Sequence, residues 1–286
     1  SVDQFGHSLA VGDFNGDGFD DLAIGAAFES LPSKPQAGAV NILYGSSAGL
    51  SANWNALLHQ DLTGTANAAE AGDYFGYSVA AGNFDGDAYD DLAVGVVGED
   101  NGTIEDAGAV HVFYGSSGGI AYDDDWFVNQ NTPGMLDETE TSDYFGWSVV
   151  AGDFNNDGTD DLAIGVPYEG IDPQPHAGAV SIVYGTPLGL TTTGNQFWHQ
   201  DVTGTDNAAE AGDHFGHAVA AGDFARAHRH LGCRHAVPPA RHQQPGLDRR
   251  RGVFGRVLLR SADRRRGEGG QDGPGEVVPD CFASVR

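Results

Sequence analysis

Basic residues and cysteine are almost missing from the first 225 positions of this 286-residue chain. Residues 1–225 contain no arginine and no cysteine, and Lys34 is their only lysine. Without thiols, this segment forms neither disulfides nor a thiolate metal site. Its 35 acidic side chains face a single lysine, so it repels nucleic acid and anionic membranes, and neither is an expected partner.

Long apolar runs are also missing, and the only methionine is Met135. No segment is apolar for long enough to span a bilayer, so we expect no transmembrane segment here. We find no signal peptide after Ser1. The location of the protein must therefore be inferred from its motifs.

The composition changes abruptly at the segment 226–286, which holds all thirteen arginines and both cysteines. When the codons required by residues 229–238 are read one nucleotide later, they permit DTLAVGMPY, which aligns with DDLAIGVPY at 160–168. We interpret 226–286 as a frame-shifted translation of a fourth repeat, and we expect this tail to be poorly ordered. A basic nucleic-acid arm is the literal alternative.

A repeat with a constant spacing organises the rest of the chain. The dipeptide FG recurs at Phe5, Phe75, Phe145 and Phe215, and AGAV and YG recur with the same spacing. The predicted units are about 3–72, 73–142 and 143–212, with an incomplete fourth unit at 213–225 inside a repeat domain of residues 1–225.

Each unit predicts β-strands and no helix. SLAVGDF, DLAIG and GAVNILYG are short, apolar and bounded by turn residues. Both faces of the third strand are apolar, which predicts coverage on both sides, and its Ala-Gly pair suits close backbone approach. A fourth strand is predicted through ALLHQDLTG near Leu57 and FWHQDVTG near Trp198. We therefore expect an all-β chain of four-stranded antiparallel β-propeller blades: three complete and one begun.

Aspartate-rich loops such as DFNGDGFDD are candidate cation sites. Side-chain oxygens occupy positions 1, 3, 5 and 9, position 6 is a turn glycine, and position 7 offers a carbonyl. Calcium takes six to eight oxygens in flexible geometry, so we predict about three Ca2+ sites. The candidate ligands are Asp13, Asn15, Asp17, Phe19 and Asp21; Asn83, Asp85, Asp87, Tyr89 and Asp91; and Asp153, Asn155, Asp157, Thr159 and Asp161, where Phe19, Tyr89 and Thr159 act through their carbonyls.

Two rival interpretations of these loops are weaker. An EF-hand needs a bidentate Glu at position 12 and flanking helices, but position 12 is Ile24, Val94 or Ile164 within a predicted strand. Simple turns also favour Asp, Asn and Gly, yet three copies in register argue for a metal. The second loop has Ala88 where the turn requires glycine, so we expect the weakest site there.

The pattern FGxSxAxGDxNxDGxDDLAxG followed by GAVxxxYG resembles the FG-GAP repeat, which occurs in the N-terminal β-propeller of integrin α-subunits and in many bacterial exported proteins. The resemblance covers residues 1–224 and implies a seven-bladed propeller with calcium between the first two strands of several blades. Only three complete repeats are present, fewer than a closed propeller of this family needs. The ligand-contact residues of integrins carry no motif here and are not transferred.

Histidine and tryptophan recur with the repeat, which favours structural roles over catalytic ones. His59 and His199 occupy equivalent HQD sequences, and His7 and His217 both follow FG. Stacking on sugar rings is the alternative for the tryptophans to packing within the blades. The three recurrent tryptophans are Trp54, Trp126 and Trp198.

These features predict a non-catalytic, calcium-stabilised extracellular module for adhesion or for protein or glycan interaction. Extracellular modules bind calcium with dissociation constants of about 0.1–1 mM. One alternative is the propeller of a secreted hydrolase acting on polysaccharide or lipid, for which the loops 99–106 and 121–126 are the first places to look because they break the repeat. Another is a fragment without independent activity, because three blades leave open sheet edges.

Overall fold

The computed structural model describes residues 3–123, 125–205 and 207–222, and all the regular structure among them is β-strand. None of these residues belongs to a helix that could cross a membrane. The strands are β1 (Ser8–Gly12), β2 (Asp21–Ala26), β3 (Ala39–Tyr44), β4 (Ser51–Leu58), β5 (Phe75–Gly82), β6 (Asp91–Val96), β7 (Ala109–Phe113), β8 (Trp126–Val128), β9 (Ser148–Gly152), β10 (Asp161–Val166), β11 (Ala179–Tyr184) and β12 (Thr191–Trp198). The frame-shifted tail predicted at 226–286 lies outside the described residues.

The strands form three antiparallel sheets of four, each a simple meander of consecutive strands. We call them blade 1 (β1–β4), blade 2 (β5–β8) and blade 3 (β9–β12). Each blade arises from one 70-residue unit, so the predicted all-β fold of four-stranded blades is confirmed. The contact of blade 1 with blade 2 is the first seam, and that of blade 2 with blade 3 is the second seam.

The hydrophobic core lies between the blades. Strands β6, β7 and β10 are buried at every position, as expected for apolar strands covered on both faces. At the first seam, Val40 and Ile42 of blade 1 pack in one cluster with Phe75 and Val94 of blade 2. The second seam repeats this arrangement. Burial between blades therefore holds the sheets together.

The fourth strand lies upstream of the predicted position. Strand β4 ends at Leu58 and β12 ends at Trp198, so the HQD sequences form turns rather than strands. In the first turn the His59 Nδ1 accepts a hydrogen bond from the Asp61 N–H at 3.2 Å, and the third unit repeats this bond. Such local bonds compete with a strand ladder. The predicted fourth strand is confirmed at Leu57 and Trp198, but its predicted extension through HQD was wrong. The turn bonds of the two HQD histidines agree with their predicted structural use.

The FG dipeptide docks each blade onto the preceding one. At the first seam the Phe75 N–H donates to the Ala37 carbonyl at 2.9 Å, and the Ser8 hydroxyl donates to the Gly76 carbonyl at 2.7 Å. A Cβ on Gly38 would lie 2.2 Å from the Phe75 oxygen, so only glycine fits. The second seam has the same bonds. This repeated contact, which we call the FG latch, explains the Ala-Gly pair.

Candidate metal centre

The three aspartate-rich loops, 13–21, 83–91 and 153–161, connect the first two strands of their blades and form a row. The Asp90 carboxylate accepts from the Asp13 N–H at 2.8 Å, and the Asp90 N–H donates to the Asp13 carbonyl at 3.1 Å. Asp160 and Asn83 repeat both bonds. Position 8 of each loop is therefore tied to position 1 of the loop before it.

The first loop folds around the carboxylate at position 1. The two Asp13 oxygens accept from the N–H groups of Asp17 at 3.1 Å and Gly18 at 2.9 Å. Asn15 Oδ1 also accepts from the Asp17 N–H at 2.9 Å. Gly18 has a φ of 86°, which glycine adopts without strain. Positions 1 and 3 thus share the Asp17 N–H, whereas the Asp17 carboxylate at position 5 accepts from the Phe19 N–H at 3.0 Å. Within this loop, which the structure describes completely, the carboxylates do not come within 4.8 Å of one another as a group of three.

The third loop repeats the bonds of position 1 but not that of position 3, because the Asn155 amide donates to the Asp157 carboxylate at 2.8 Å. Asp153 accepts from the N–H groups of Asp157 and Gly158, both at 3.1 Å, and Gly158 has a φ of 101°. The Thr159 hydroxyl donates to Asp157 at 2.5 Å. This bond and that from the Thr159 N–H hold the pKa of Asp157 below its usual value.

The second loop has a different turn. Ala88 does not enter the left-handed region that glycine occupies in the other two loops. The Asn83 amide donates to the Asp87 carbonyl at 2.8 Å, and its buried Oδ1 has no hydrogen-bond partner. A buried acceptor without a partner suits a cation. The loop thus lacks the turn of its neighbours but keeps oxygen donors.

The aspartate at position 9 is buried in every loop. Asp21 accepts from the N–H groups of Phe14 at 3.0 Å and Gly45 at 2.7 Å, and the other two loops repeat this pattern. Burial, reinforced by the charges of other loop aspartates, raises the pKa of Asp91 to about 7 and that of Asp161 to about 6. These oxygen-only, negatively charged loops fit a calcium ion.

Two further groups of acidic side chains lie at the opposite end of the blades. The first acidic cluster, at the first seam, comprises Gln60, Asn67, Glu70, Asp73 and Glu99. Glu99 is buried, and its carboxylate accepts from the amides of Gln60, at 2.6 Å, and Asn67. Burial, with the charges of neighbouring carboxylates, raises the pKa of Glu99 to about 8 and that of Asp73 to about 7.

The second acidic cluster, at the second seam, comprises Gln130, Asp137, Glu140, Asp143 and Glu169. Ligand atoms of Glu140, Asp143 and Glu169 all lie within 4.8 Å of one another. The Gln130 amide donates to Glu169 at 2.6 Å and to Asp137 at 3.0 Å. Burial raises the pKa of Glu169 well above its usual value, and the charges of Asp143 and Asp137 raise it further.

Neither cluster was predicted from the sequence, although a signal was present. Glu70 recurs as Glu140, and Asp73 recurs as Asp143, with the period of the repeat. Glu99 lies in the 99–106 loop that was predicted to break the repeat. That loop instead pairs Asn101 with Ile104 just as blade 1 pairs its own residues there, so the prediction of a break was wrong.

One buried pair has no counterpart in the other blades. His111 Nδ1 contacts the Asp125 carboxylate, and both side chains are almost completely buried. Asp125 also accepts from the Ala66 N–H at 2.7 Å, which joins the 121–126 loop to the connection between blades 1 and 2. The pair therefore lies in the packed interior of blade 2.

A row of aromatic rings crosses both seams at the position after each FG. The ring centroids are 4.7 Å apart for His7 and Tyr77, 4.8 Å for Tyr77 and Trp147, and 5.3 Å for Trp147 and His217. These rings are exposed or half-buried. We call them the aromatic row. It combines packing between blades with an accessible surface.

The recurrent tryptophans were predicted to pack within the blades, and the two whose side chains the structure describes do so. Trp126 packs against the core of the second seam, and Trp198 packs against the core beyond it. The Trp54 side chain lies outside the part of the chain that the structure describes.

Comparisons with known proteins agree with this architecture. A family model described as "FG-GAP repeat" matches residues 5–43, 75–113 and 145–183, one range in each blade. The chain is 33% identical over 191 residues to integrin alpha-PS2 of Drosophila melanogaster, covering 64% of this chain and 12% of that protein. It is 33% identical over 196 residues to integrin alpha-8 of Mus musculus, covering 67% and 16%.

A relative of another kind is phosphatidylinositol-glycan-specific phospholipase D of Bos taurus. The chain is 30% identical to it over 165 residues, covering 58% of this chain and 19% of that protein. The chain therefore spans less than a fifth of the length of each of these relatives. The chain is an FG-GAP repeat protein similar to integrin α-subunits, and each of its three described blades carries one repeat.

Proposed function

We propose that this chain is a calcium-binding propeller module that acts outside the cytoplasm in adhesion or in binding a protein or glycan, without catalysing a reaction. The observation that carries this proposal is the row of three aspartate-rich loops, each of which offers oxygen donors only at the same spacing. The fifteen candidate ligands named from the sequence would hold about three Ca2+ ions. Bound calcium would neutralise the loops and fix their turns.

The extracellular location rests on the relatives and on the loops. Integrin α-subunits and the phospholipase D relative are extracellular or surface proteins, and weak calcium sites fill only where calcium is abundant. For the contact surface we propose the aromatic row, because Tyr77 and Trp147 offer large rings that are still partly accessible.

Calcium titration of loop variants tests the proposal. Asp17→Asn with Asp157→Asn keeps an acceptor for the N–H groups of Phe19 and Thr159 but removes two ligand charges. The wild-type midpoint of thermal unfolding should rise on adding millimolar calcium, and the variant should lose most of this rise.

A matched control is Glu105→Gln with Glu138→Gln, which removes two exposed charges outside the loops. This control should respond to calcium like the wild type. An unfolding midpoint of the wild-type chain that ignores calcium would contradict the proposal.

A second candidate function is the propeller portion of a secreted hydrolase, favoured by the phospholipase D relative. A non-repeated acidic and histidine cluster would support it. The non-repeated His111–Asp125 pair is buried, which argues against catalysis there. Hydrolysis of a phosphatidylinositol-glycan by the purified chain would favour the enzyme.

A further inference from the structure

The second acidic cluster concentrates negative charge in a buried place. Glu169 is 3% exposed and Asp143 is 2% exposed, whereas Glu140 reaches the surface. Asp137 shares the Gln130 amide with Glu169. The Gln130 amide donates to two of the four carboxyl groups, and the Glu140 N–H donates to Asp143 at 2.6 Å. Buried charges require compensation, and these neutral donors supply only part of it.

The Gln130 side chain leaves a buried oxygen available to a ligand, as Gln60 also does at the first acidic cluster. It is 1% exposed and directed into the cluster, where its Nε2 bonds two carboxylates. Its Oε1 has no hydrogen-bond partner. A buried amide oxygen without a partner beside carboxylates completes a donor set of oxygens only.

Among the residues that the structure describes, no lysine or arginine compensates this cluster. Lys34 is the only lysine or arginine in residues 1–225, and it pairs with Asp61 beside the first acidic cluster. His176 is the one basic side chain whose charge reaches Asp143 among the described residues. In the first acidic cluster the position of Asp137 is taken by Asn67, whose amide donates to Glu99.

We propose that the second acidic cluster binds one hard divalent cation, calcium in the first place, at the second seam. Asp137, Glu140, Asp143 and Glu169 supply carboxylate oxygens, and the Gln130 amide supplies a neutral oxygen. Such a set suits calcium, which accepts carboxylates and amide carbonyls in flexible geometry. The ion joins the connection between blades 2 and 3 to the Glu169 loop of blade 3.

This site lies at the other end of the blades from the aspartate-rich loops, so the proposal does not rest on the proposed function. The test uses Glu140→Gln and its counterpart Glu70→Gln in the first acidic cluster. Both residues are exposed, so neither change should disturb folding. The measurement is the number of calcium ions bound per chain, by equilibrium dialysis of the full chain at pH 7.5.

We expect Glu140→Gln to lose one bound calcium, or to weaken that site at least tenfold, while Glu70→Gln keeps the wild-type number. Unchanged calcium binding in Glu140→Gln would overturn the proposal, and so would an equal loss in both variants. If the carboxyl groups of the second acidic cluster were neutralised by protons alone, Glu140→Gln would leave calcium binding unchanged. The loop variant Asp17→Asn with Asp157→Asn separates this proposal from the proposed function. Adding Glu140→Gln to that variant should remove one further bound calcium ion, whether or not the loops bind calcium.

Discussion

The two acidic clusters occupy equivalent places at the two seams but balance their charge differently. In the first, two amides donate to Glu99, and the charge of Lys34 reaches Asp73. In the second, Asp137 replaces the amide of Asn67, and Ile104 stands where blade 1 has Lys34. The FG latch is the same at both seams, which shows that the repeat fixes the packing of the blades but leaves charge compensation free to vary.

The largest expected effect tests whether the two latches are equivalent. Phe75 and Phe145 are fully buried, whereas Phe5 is 65% exposed because it docks on no described blade. We expect Phe75→Ala and Phe145→Ala each to lower the free energy of unfolding by about 3–5 kcal/mol, since each leaves a cavity at a seam. Urea unfolding measures this effect.

Phe5→Ala is the matched control and should change stability by less than about 0.5 kcal/mol. If Phe75→Ala and Phe145→Ala differed strongly, the seams would differ in packing as well as in charge.

The next effect concerns pH and the first acidic cluster. The pKa of Glu99 is raised from 4.5 to about 8 and that of Asp73 from 3.8 to about 7, mainly by burial. Both groups bind a proton more tightly in the folded state, so their joint contribution to the free energy of unfolding should fall as the pH rises from about 4 to about 8. We expect Glu99→Gln to remove roughly 2–4 kcal/mol of this fall.

Urea unfolding in EDTA at several pH values between 5 and 8 measures the slope. Glu29→Gln, at the equivalent position of blade 1, is the control and should keep the wild-type slope. A slope that Glu99→Gln leaves unchanged would mean that Glu99 is ionised in the folded chain.

Exchanging the residues that distinguish the clusters should have opposite effects. In EDTA at pH 7.5, Asn67→Asp removes a donor to Glu99 and adds a charge, so we expect a loss of about 1–3 kcal/mol. Asp137→Asn should gain about 1 kcal/mol by relieving repulsion near Glu169.

Saturating calcium should turn the gain of Asp137→Asn into a loss, because a ligand that binds only the folded state stabilises it. Thermal unfolding of the wild type and of Asp137→Asn, in EDTA and in saturating calcium, measures the gain and the loss. The same gain in both conditions would contradict an ion at the second acidic cluster.

The sequence predicted the blades well because their determinants are local and repeated. Apolar strands such as DLAIG, bounded by turn residues, gave the positions of β2, β6 and β10 closely. The fourth strand was placed too far downstream because β4 begins at Ser51, before the apolar Ala56–Leu58 that marked it in the sequence, and its pairing with β3 extends to Ser51. The 70-residue spacing alone did not reveal the FG latch, because the latch joins the FG dipeptide of one unit to residues of the preceding unit.

The candidate sites divide along the same line. Each aspartate-rich loop is contiguous in sequence, so the spacing of its candidate ligands can be read directly. The different turn at Ala88 could also be anticipated, because glycine supplies a positive φ that alanine avoids. The acidic clusters combine residues from two separate segments about 30–40 positions apart, such as Gln130 and Glu169. Their meaning depends on burial, which the sequence does not state.

The smallest expected effect concerns the single lysine. Lys34 Nζ lies 2.6 and 2.8 Å from the two Asp61 oxygens, but both side chains are partly exposed. We expect Lys34→Gln to cost about 0.2–1 kcal/mol at low ionic strength and less in 1 M NaCl, as for other exposed ion pairs. Transplanting the pair as Ile104→Lys with Asn131→Asp should gain a similar amount in EDTA and little in calcium, because a bound ion already offsets the charge there. A gain of equal size in calcium would show that the second acidic cluster still lacks a cation under those conditions.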